Sequence, residues 1–241
     1  LNNIKVIKKK VNHNPAFIKL FDEILTNAAD QSIRTGKVKM IKVLIDDKKI
    51  SVENDGPTIP LQLHPTENVY NPELIFSHLL TGENYDDTEE RVVGGRNGLG
   101  AKLVNVFSKK FKVECCDGKK LYRQWTKDNM LNIDEAELVD VSSDQKSFTR
   151  ITYYPDYSQF DFDTLTEDLK SIMYKRCLDV AAYIPNVRIS LDGKTLPVKK
   201  ASDFMQMHLP EGADFMYEKL DNGDRKSTRL NSSHQIISYA V

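Results

Sequence analysis

The segment from Phe17 to Asp30, FIKLFDEILTNAAD, constrains the fold more than any other stretch of the chain. At about 100° per residue, Glu23, Asn27 and Asp30 fall within a narrow arc, while Phe17, Ile18, Leu20, Phe21, Ile24, Leu25, Ala28 and Ala29 cover the rest of the helix. The fold must therefore cover apolar surface on both sides of a thin polar stripe. Carboxylates and a carboxamide held in such partly desolvated surroundings each need a partner or a task. A surface helix with its wet face outward uses the same residue types, but its polar face is wider. The stripe reads as the wall of a site.

With 241 residues, 40% of them hydrophobic, the chain can bury a real core in one or two domains. The net charge of -1 argues against a piece that grips nucleic acid by bulk charge. Three cysteines, Cys115, Cys116 and Cys177, form an odd set with two adjacent, which suits a reducing compartment better than a disulfide framework. No CxxC pair or His/Cys cluster is present, so no structural zinc is expected. No apolar run approaches a membrane span, and LNNIKVIKKK lacks the apolar core of a signal peptide. The first residue, Leu1, is expected to lie downstream of the natural start.

The last eighteen residues are set apart before any fold argument. DRKSTRLNSSH, from Asp224 to His234, resembles a translated short-read sequencing adapter, and ISYAV, from Ile237 to Val241, resembles that adapter's continuation, with Gln235 and Ile236 at the index. Residues 224–241 are therefore expected to be foreign to the protein. Without them Lys+Arg falls from 34 to 31 and Asp+Glu from 35 to 34, leaving a net charge of -3. The domain organisation expected is a lead-in at 1–15, one domain at 16–223 and the adapter-like tail.

In chain order, a polar lead-in precedes a helix from Ala16 to about Arg34, which Thr35 and Gly36 stop. Met40 to Ile45 and Lys49 to Glu53 read as a hairpin turning at Asp46, Asp47 and Lys48. The second strand runs into Asn54-Asp55-Gly56, ordinary turn chemistry that also places a rigid amide where it can read a base edge. Pro72 to Leu80 reads as a short helix, and TGENYDDTEERVV as an acidic loop or lid.

The densest glycine cluster follows: Gly94, Gly95, Arg96, Asn97, Gly98, Leu99 and Gly100, leading into the apolar AKLVNVF of 101–107. Glycines let backbone N–H groups converge, and a helix start adds unpaired donors suited to phosphate, with Lys102 as a nearby charge. A tight turn uses the same residues. The order is neither a Walker loop, which needs GKS or GKT, nor the Rossmann GxGxxG. Strands are expected at 112–116, 120–125, 137–141 and 148–154, with Asp117-Gly118 as a turn. A helix over 165–183, a pair at 187–191 and 195–198 and a short helix at 201–209 complete the chain.

Glu and Asn four apart on a helix, a strand-end Asn-Asp-Gly and a glycine loop entering a helix together resemble the GHKL ATPases, the superfamily of gyrase, Hsp90-type chaperones and histidine kinases. The strings FDEILTNAAD, ENDGPTIP, LIFSHLLTGENYDD and GGRNGLGAKLVNVFS are similar to the N-terminal ATPase domain of eukaryotic-type DNA topoisomerase II, over about Pro15 to Leu209. The resemblance implies an α/β (α+β) two-layer sandwich of the GHKL type, a mixed and mostly antiparallel sheet with helices on one face.

It also implies ATP and Mg²⁺ as cofactors and a set of roles. Glu23 would be the general base for the attacking water, Asn27 the Mg²⁺ ligand and Asn54 the residue facing the adenine amino group. Asn84 would lie near the ribose and phosphates, and Gly95, Arg96, Asn97, Gly98, Leu99, Gly100, Ala101 and Lys102 would wrap the triphosphate. Asp30 would hold the stripe by hydrogen bonds. Gly82 and Glu83 replace the family's usual serines, Thr58 a glycine, and Leu99 a common tyrosine, changes expected to weaken nucleotide affinity. The implied parent acts on double-stranded DNA as a homodimer, away from membranes, in the nucleus by family resemblance, with a mitochondrial or viral setting as the alternative. Its DNA-cleaving tyrosine and transducer lysine lie outside this fragment. Another GHKL enzyme, or a nucleotide-binding module without turnover, is the alternative.

Overall fold

A computed structural model describes residues 6–78, 99–184 and 186–209, and the backbone of three short strands between 215 and 240. Asn14 opens the first helix, α1 (Pro15–Thr35). Its side-chain oxygen accepts the backbone N–H groups of Ala16 at 2.9 Å and Phe17 at 3.4 Å, and Pro15 needs no partner at the first helical position. Gly36 ends the helix with φ of 63°, in the left-handed region. Strands β1 (Met40–Ile45) and β2 (Ile50–Asn54) form the expected hairpin, with the Asp46 carboxylate accepting the N–H groups of Lys48 and Lys49 at 2.8 and 2.9 Å.

Two short helices, α2 (Asn71–Ser77) and α3 (Gly100–Val106), come next. The strands β3 (Ser108–Cys116), β4 (Lys120–Lys127), β5 (Asn132–Ile133), β6 (Glu137–Asp140) and β7 (Phe148–Pro155) then follow. Helix α4 (Glu167–Tyr183), strands β8 (Arg188–Leu191) and β9 (Lys194–Thr195), and helix α5 (Ala201–Met207) close the main unit. The expected strand at 195–198 is mostly not one. The Leu196 N–H still donates to the Ile189 carbonyl at 2.8 Å, beyond which the chain leaves the ladder, and Leu196 and Val198 are buried in the core.

Strands β1 to β9 make one sheet in the order β5-β4-β3-β7-β2-β1-β8-β9, with β6 also on β4. Every pairing is antiparallel except β1 with β8, where helix α4 precedes β8. One face of the sheet buries Ile41, Val43, Ile50, Val52, Phe111, Val113, Ile151 and Tyr153 against Phe17, Phe21, Ile24 and Leu25 of α1 and Leu169, Met173 and Cys177 of α4. Phe17 alone meets three aromatic rings, those of Tyr157, Phe160 and Phe162. Each such side chain contributes about 1.5–3 kcal/mol by leaving water. The apolar residues of the α1 pattern are all buried, as the two-sided pattern required.

The opposite face carries a row of alternating charge. Lys42, Glu53, Arg150, Glu114 and Arg123 lie directly across from one another on β1, β2, β7, β3 and β4. Lys42 reaches Glu53 at 2.7 Å, Arg150 Nε donates to Glu53 at 2.6 Å, and Glu114 lies 3.3 Å from Arg150 and 3.5 Å from Arg123. A one-residue slip of any strand would turn its charge into the apolar layer, so the row specifies register. All three cysteines are free and buried. No helix among the described residues is long and apolar enough to cross a membrane.

A separate antiparallel sheet comprises β10 (Phe215–Lys219), β11 (Arg225–Arg229) and β12 (Ile237–Ala240). Its last two strands lie within the adapter-like segment.

Candidate functional site

Glu23 is the focus of the site. Its side chain, 25% exposed, points from α1 toward the start of α3, and its Oε1 accepts from Lys19 Nζ at 2.8 Å. Its Oε2 faces Gly100 so closely that a Cβ at residue 100 would lie 1.9 Å from that oxygen, 2.6 Å from Cδ and 3.1 Å from Cγ. Only a glycine at 100 leaves the carboxylate in this place. The carboxylate of the stripe and the end of the glycine-rich run thus meet, although 77 positions separate them. Asn27, one turn further along α1, is exposed, and Asp30 is half-buried. The neighbouring Asp22 is occupied elsewhere, 3.3 Å from Arg176 of α4.

At the start of α3, Leu99 and Gly100 are half-buried, and Ala101 is buried. Lys102 is only 1% exposed, and desolvation lowers its pKa from the ordinary lysine value. An ammonium held out of water gains more from a nearby anion than one in solvent. Asn84, Gly95, Arg96, Asn97 and Gly98 lie outside the described residues, as do Gly82, Glu83 and the acidic segment expected to form a lid.

Asn54 closes β2 and is 6% exposed. Its Oδ1 accepts the Gly56 N–H at 3.2 Å, so the turn chemistry is realised with the amide buried at the strand end. Asp55 turns the other way and accepts the N–H groups of Lys39 and Met40 at 2.7 and 2.9 Å. Gly56 is needed for closeness, since a Cβ there would lie 2.5 Å from Val38 Cγ2.

Directly across from Asn54 on β7 is Thr149, a residue that reading the sequence did not single out. Its hydroxyl, half-buried, lies 2.8 Å from that of Thr58, and its partner on β3 is the buried Cys115. Burial pushes the Cys115 thiol up to about 12, partly offset by its hydrogen bonds to Thr58 and Thr149. Thr58 is thereby pinned beside Asn54's strand.

Residues 12–156 match the family model for histidine kinase-, DNA gyrase B- and HSP90-like ATPases. The chain belongs to that family. Among relatives of this ATPase, it is 39% identical to the probable DNA topoisomerase 2 of Dictyostelium discoideum and 43% identical to the DNA topoisomerase 2 of Candida albicans. Those matches cover 96% and 85% of this chain but only 16% and 14% of the relatives' own lengths. The solved ATPase region of Saccharomyces cerevisiae topoisomerase II superposes with a TM-score of 0.88 at 35% identity, covering 95% of this chain and 61% of that one. The two-layer arrangement implied by the GHKL resemblance is the one this ATPase adopts.

The ATPase fold also ties together the two helices that flank residues 78–99. Asn105 of α3, wholly buried, donates to the Phe76 carbonyl of α2 at 3.0 Å and accepts from the Thr126 hydroxyl of β4. A second network runs from Tyr122 to Gln124 at 2.7 Å, from Gln124 to Glu73 at 2.8 Å, and from Glu73 to His78 at 3.3 Å. The buried Asn105 thus ties α3 to α2 and β4, while the second network anchors α2 to β4. For a divalent ion the fit is through few protein atoms. Asn27 offers one exposed hard oxygen beside Glu23, and the described residues contain no cluster of three or more His, Cys, Asp or Glu able to hold a metal.

Proposed function

We propose that this chain is the ATP-binding and hydrolysing region of a eukaryotic-type DNA topoisomerase II. The observation that carries the reading is the apposition of the Glu23 carboxylate and the Gly100 backbone, which sets a proton acceptor at the mouth of a loop suited to phosphate. In the proposed reaction Glu23 takes a proton from a water whose oxygen bonds to the γ-phosphorus. The bond from that phosphorus to the β-phosphate bridging oxygen breaks, and ADP leaves with the electron pair. Asn27 would hold Mg²⁺, which when bound neutralises phosphate charge. Asn54, beside Thr149 and Thr58, would face the adenine edge, and Asn84 the ribose. Gly95, Arg96, Asn97, Gly98, Leu99, Gly100, Ala101 and Lys102 would enclose the triphosphate.

The parent protein would couple nucleotide-driven dimer closure to passage of one DNA duplex through another, in the nucleus. Residues 16–223 would form the functional domain, and 224–241 would add nothing to it. The test is calorimetry with a non-hydrolysable ATP analogue, with and without Mg²⁺, beside steady-state phosphate release. Metal-dependent binding is expected, with turnover that Glu23→Gln lowers by about 10²–10⁴-fold while binding persists. No binding by a folded chain would overturn the nucleotide reading. Turnover equal in the wild-type chain and Glu23→Gln would leave a nucleotide-binding module.

A further inference from the structure

At one end of the large sheet the ladder passes from β4 to β5 and β6, and among the described residues no strand lies beyond them. The register sets Glu137, Leu138, Val139 and Asp140 of β6 across from Arg123, Tyr122, Leu121 and Lys120. Just past β6, the Val141 N–H donates to the Lys119 carbonyl at 2.8 Å. Antiparallel pairs alternate between bonded and non-bonded, so Glu137 and Val139 also turn their backbone groups toward β4, while Leu138 and Asp140 turn theirs outward. Outward N–H and C=O groups on an edge are a template for another strand. Apolar surface accompanies them: Val139 is 42% exposed, Ile133 of β5 40%, and Leu131, between β4 and β5, 82%. Around it Glu135, Glu137 and Asp140 are exposed, whereas Asp134 is neutralised by Lys127 at 2.6 Å. Two copies of this acidic edge repel one another, and the opposite edge of the sheet, β9, is only two residues long. The charge that bars a second copy selects a basic occupant.

We propose that β6 is a docking edge for an extended segment of a partner protein, which adds a strand with basic side chains across from Glu137 and Asp140 and apolar ones across from Leu138 and Val139. Main-chain hydrogen bonds to Leu138 and Asp140 supply the attraction common to any strand, and the side chains supply the choice of partner. Because neighbours along a strand point to opposite faces, each face of the sheet receives one basic and one apolar side chain of that segment. This function is separate from the nucleotide chemistry and does not depend on it.

The experiment titrates the unaltered 241-residue chain into a fluorescent hexapeptide, two central valines flanked by lysines with a threonine at each end, and follows anisotropy. The peptide pattern is the same in both directions, so it serves either strand orientation. Saturable one-to-one binding that weakens with added salt is expected. Exchanging the lysines for glutamates, or N-methylating alternate amides, should each weaken binding by about tenfold or more. Equal binding of the glutamate peptide would overturn the charge argument, and equal binding of the N-methylated forms would overturn strand addition. In the protein, Asp140→Pro removes an outward N–H that the ladder does not use, and Asp140→Asn removes the charge alone. Proline should weaken binding more than asparagine, with the melting temperature unchanged, and equal effects would again exclude an added strand. No saturable binding of the lysine peptide by the folded chain overturns the proposal. So does concentration-dependent self-association of the unaltered chain in sedimentation that Asp140→Pro abolishes, since the edge then belongs to a second copy.

Discussion

Replacing Gly100 by alanine separates stability from chemistry more cleanly than any other change at this site. The added Cβ would lie 1.9 Å from Glu23 Oε2, and ordinary contact begins at 3.4 Å, so the carboxylate must retreat by about 1.5 Å. The obstructing atoms belong to a flexible side chain, and moving it off its preferred rotamer costs about 0.5–1.5 kcal/mol. Alanine in place of glycine returns up to about 1 kcal/mol in a helix. The two nearly cancel, so chemical unfolding should show a midpoint close to that of the wild-type chain. Turnover should not be spared. A displacement of more than 1 Å costs on the order of 100-fold, equivalent to about 2.7 kcal/mol of barrier. Urea melts and phosphate release on the same preparation measure both halves. A folded Gly100→Ala chain that hydrolyses ATP within threefold of wild type would refute the argument that Glu23 works from this position.

Beneath α3, Thr126→Val keeps shape but leaves the Asn105 carbonyl oxygen buried without its hydroxyl donor, which should cost about 1–3 kcal/mol in urea unfolding. Adding Asn105→Leu should recover part of that loss, and strict additivity would argue against the network. At the β3–β4 turn, the Asp117 carboxylate accepts the N–H groups of Lys120 and Lys119 at 2.7 and 2.8 Å. The Lys120 bond is the largest cause of a pKa held below the ordinary 3.8. A depressed carboxylate stabilises the fold above its unfolded pKa and ceases to do so as pH falls through the folded value. Asp117→Asn should therefore flatten the stability profile between pH 5 and 2, and an unchanged acid slope would remove Asp117 from the explanation.

What could be read from the residues was what neighbours in the chain decide. Thr35 and Gly36 mark the end of α1, and Asp46 and Asp117-Gly118 close the turns expected of them, because caps and turns are satisfied within four positions. β3 begins earlier than expected, at Ser108, since Lys109 and Lys110 look like loop residues until the sheet turns them to solvent. The paired roles of Asn54 stayed ambiguous in the sequence, because an Asx turn and a buried amide at a strand end use the same atoms. Thr149 carried no signal at all. It is one more β-branched residue in an alternating strand, and its place beside Asn54 depends on a pairing across 95 positions. The glycine cluster announced close approach but not what would approach, and Glu23 could be named without its contact to Gly100.

The strand order has a consequence for synthesis of the chain. Although β2 and β3 are consecutive in this sheet, they are not neighbours, because β7 lies between them. Every residue assigned to the nucleotide falls between 23 and 102, yet the halves of the sheet beneath them cannot join until residues 148–155 are available. A nascent chain emerging from the ribosome thus carries every side chain of this domain proposed to meet the nucleotide for some fifty residues before the frame that arrays them can close. Such late, non-local closure is slow and exposes strand edges meanwhile. Truncation ahead of β7 should accordingly yield aggregation rather than a smaller working domain.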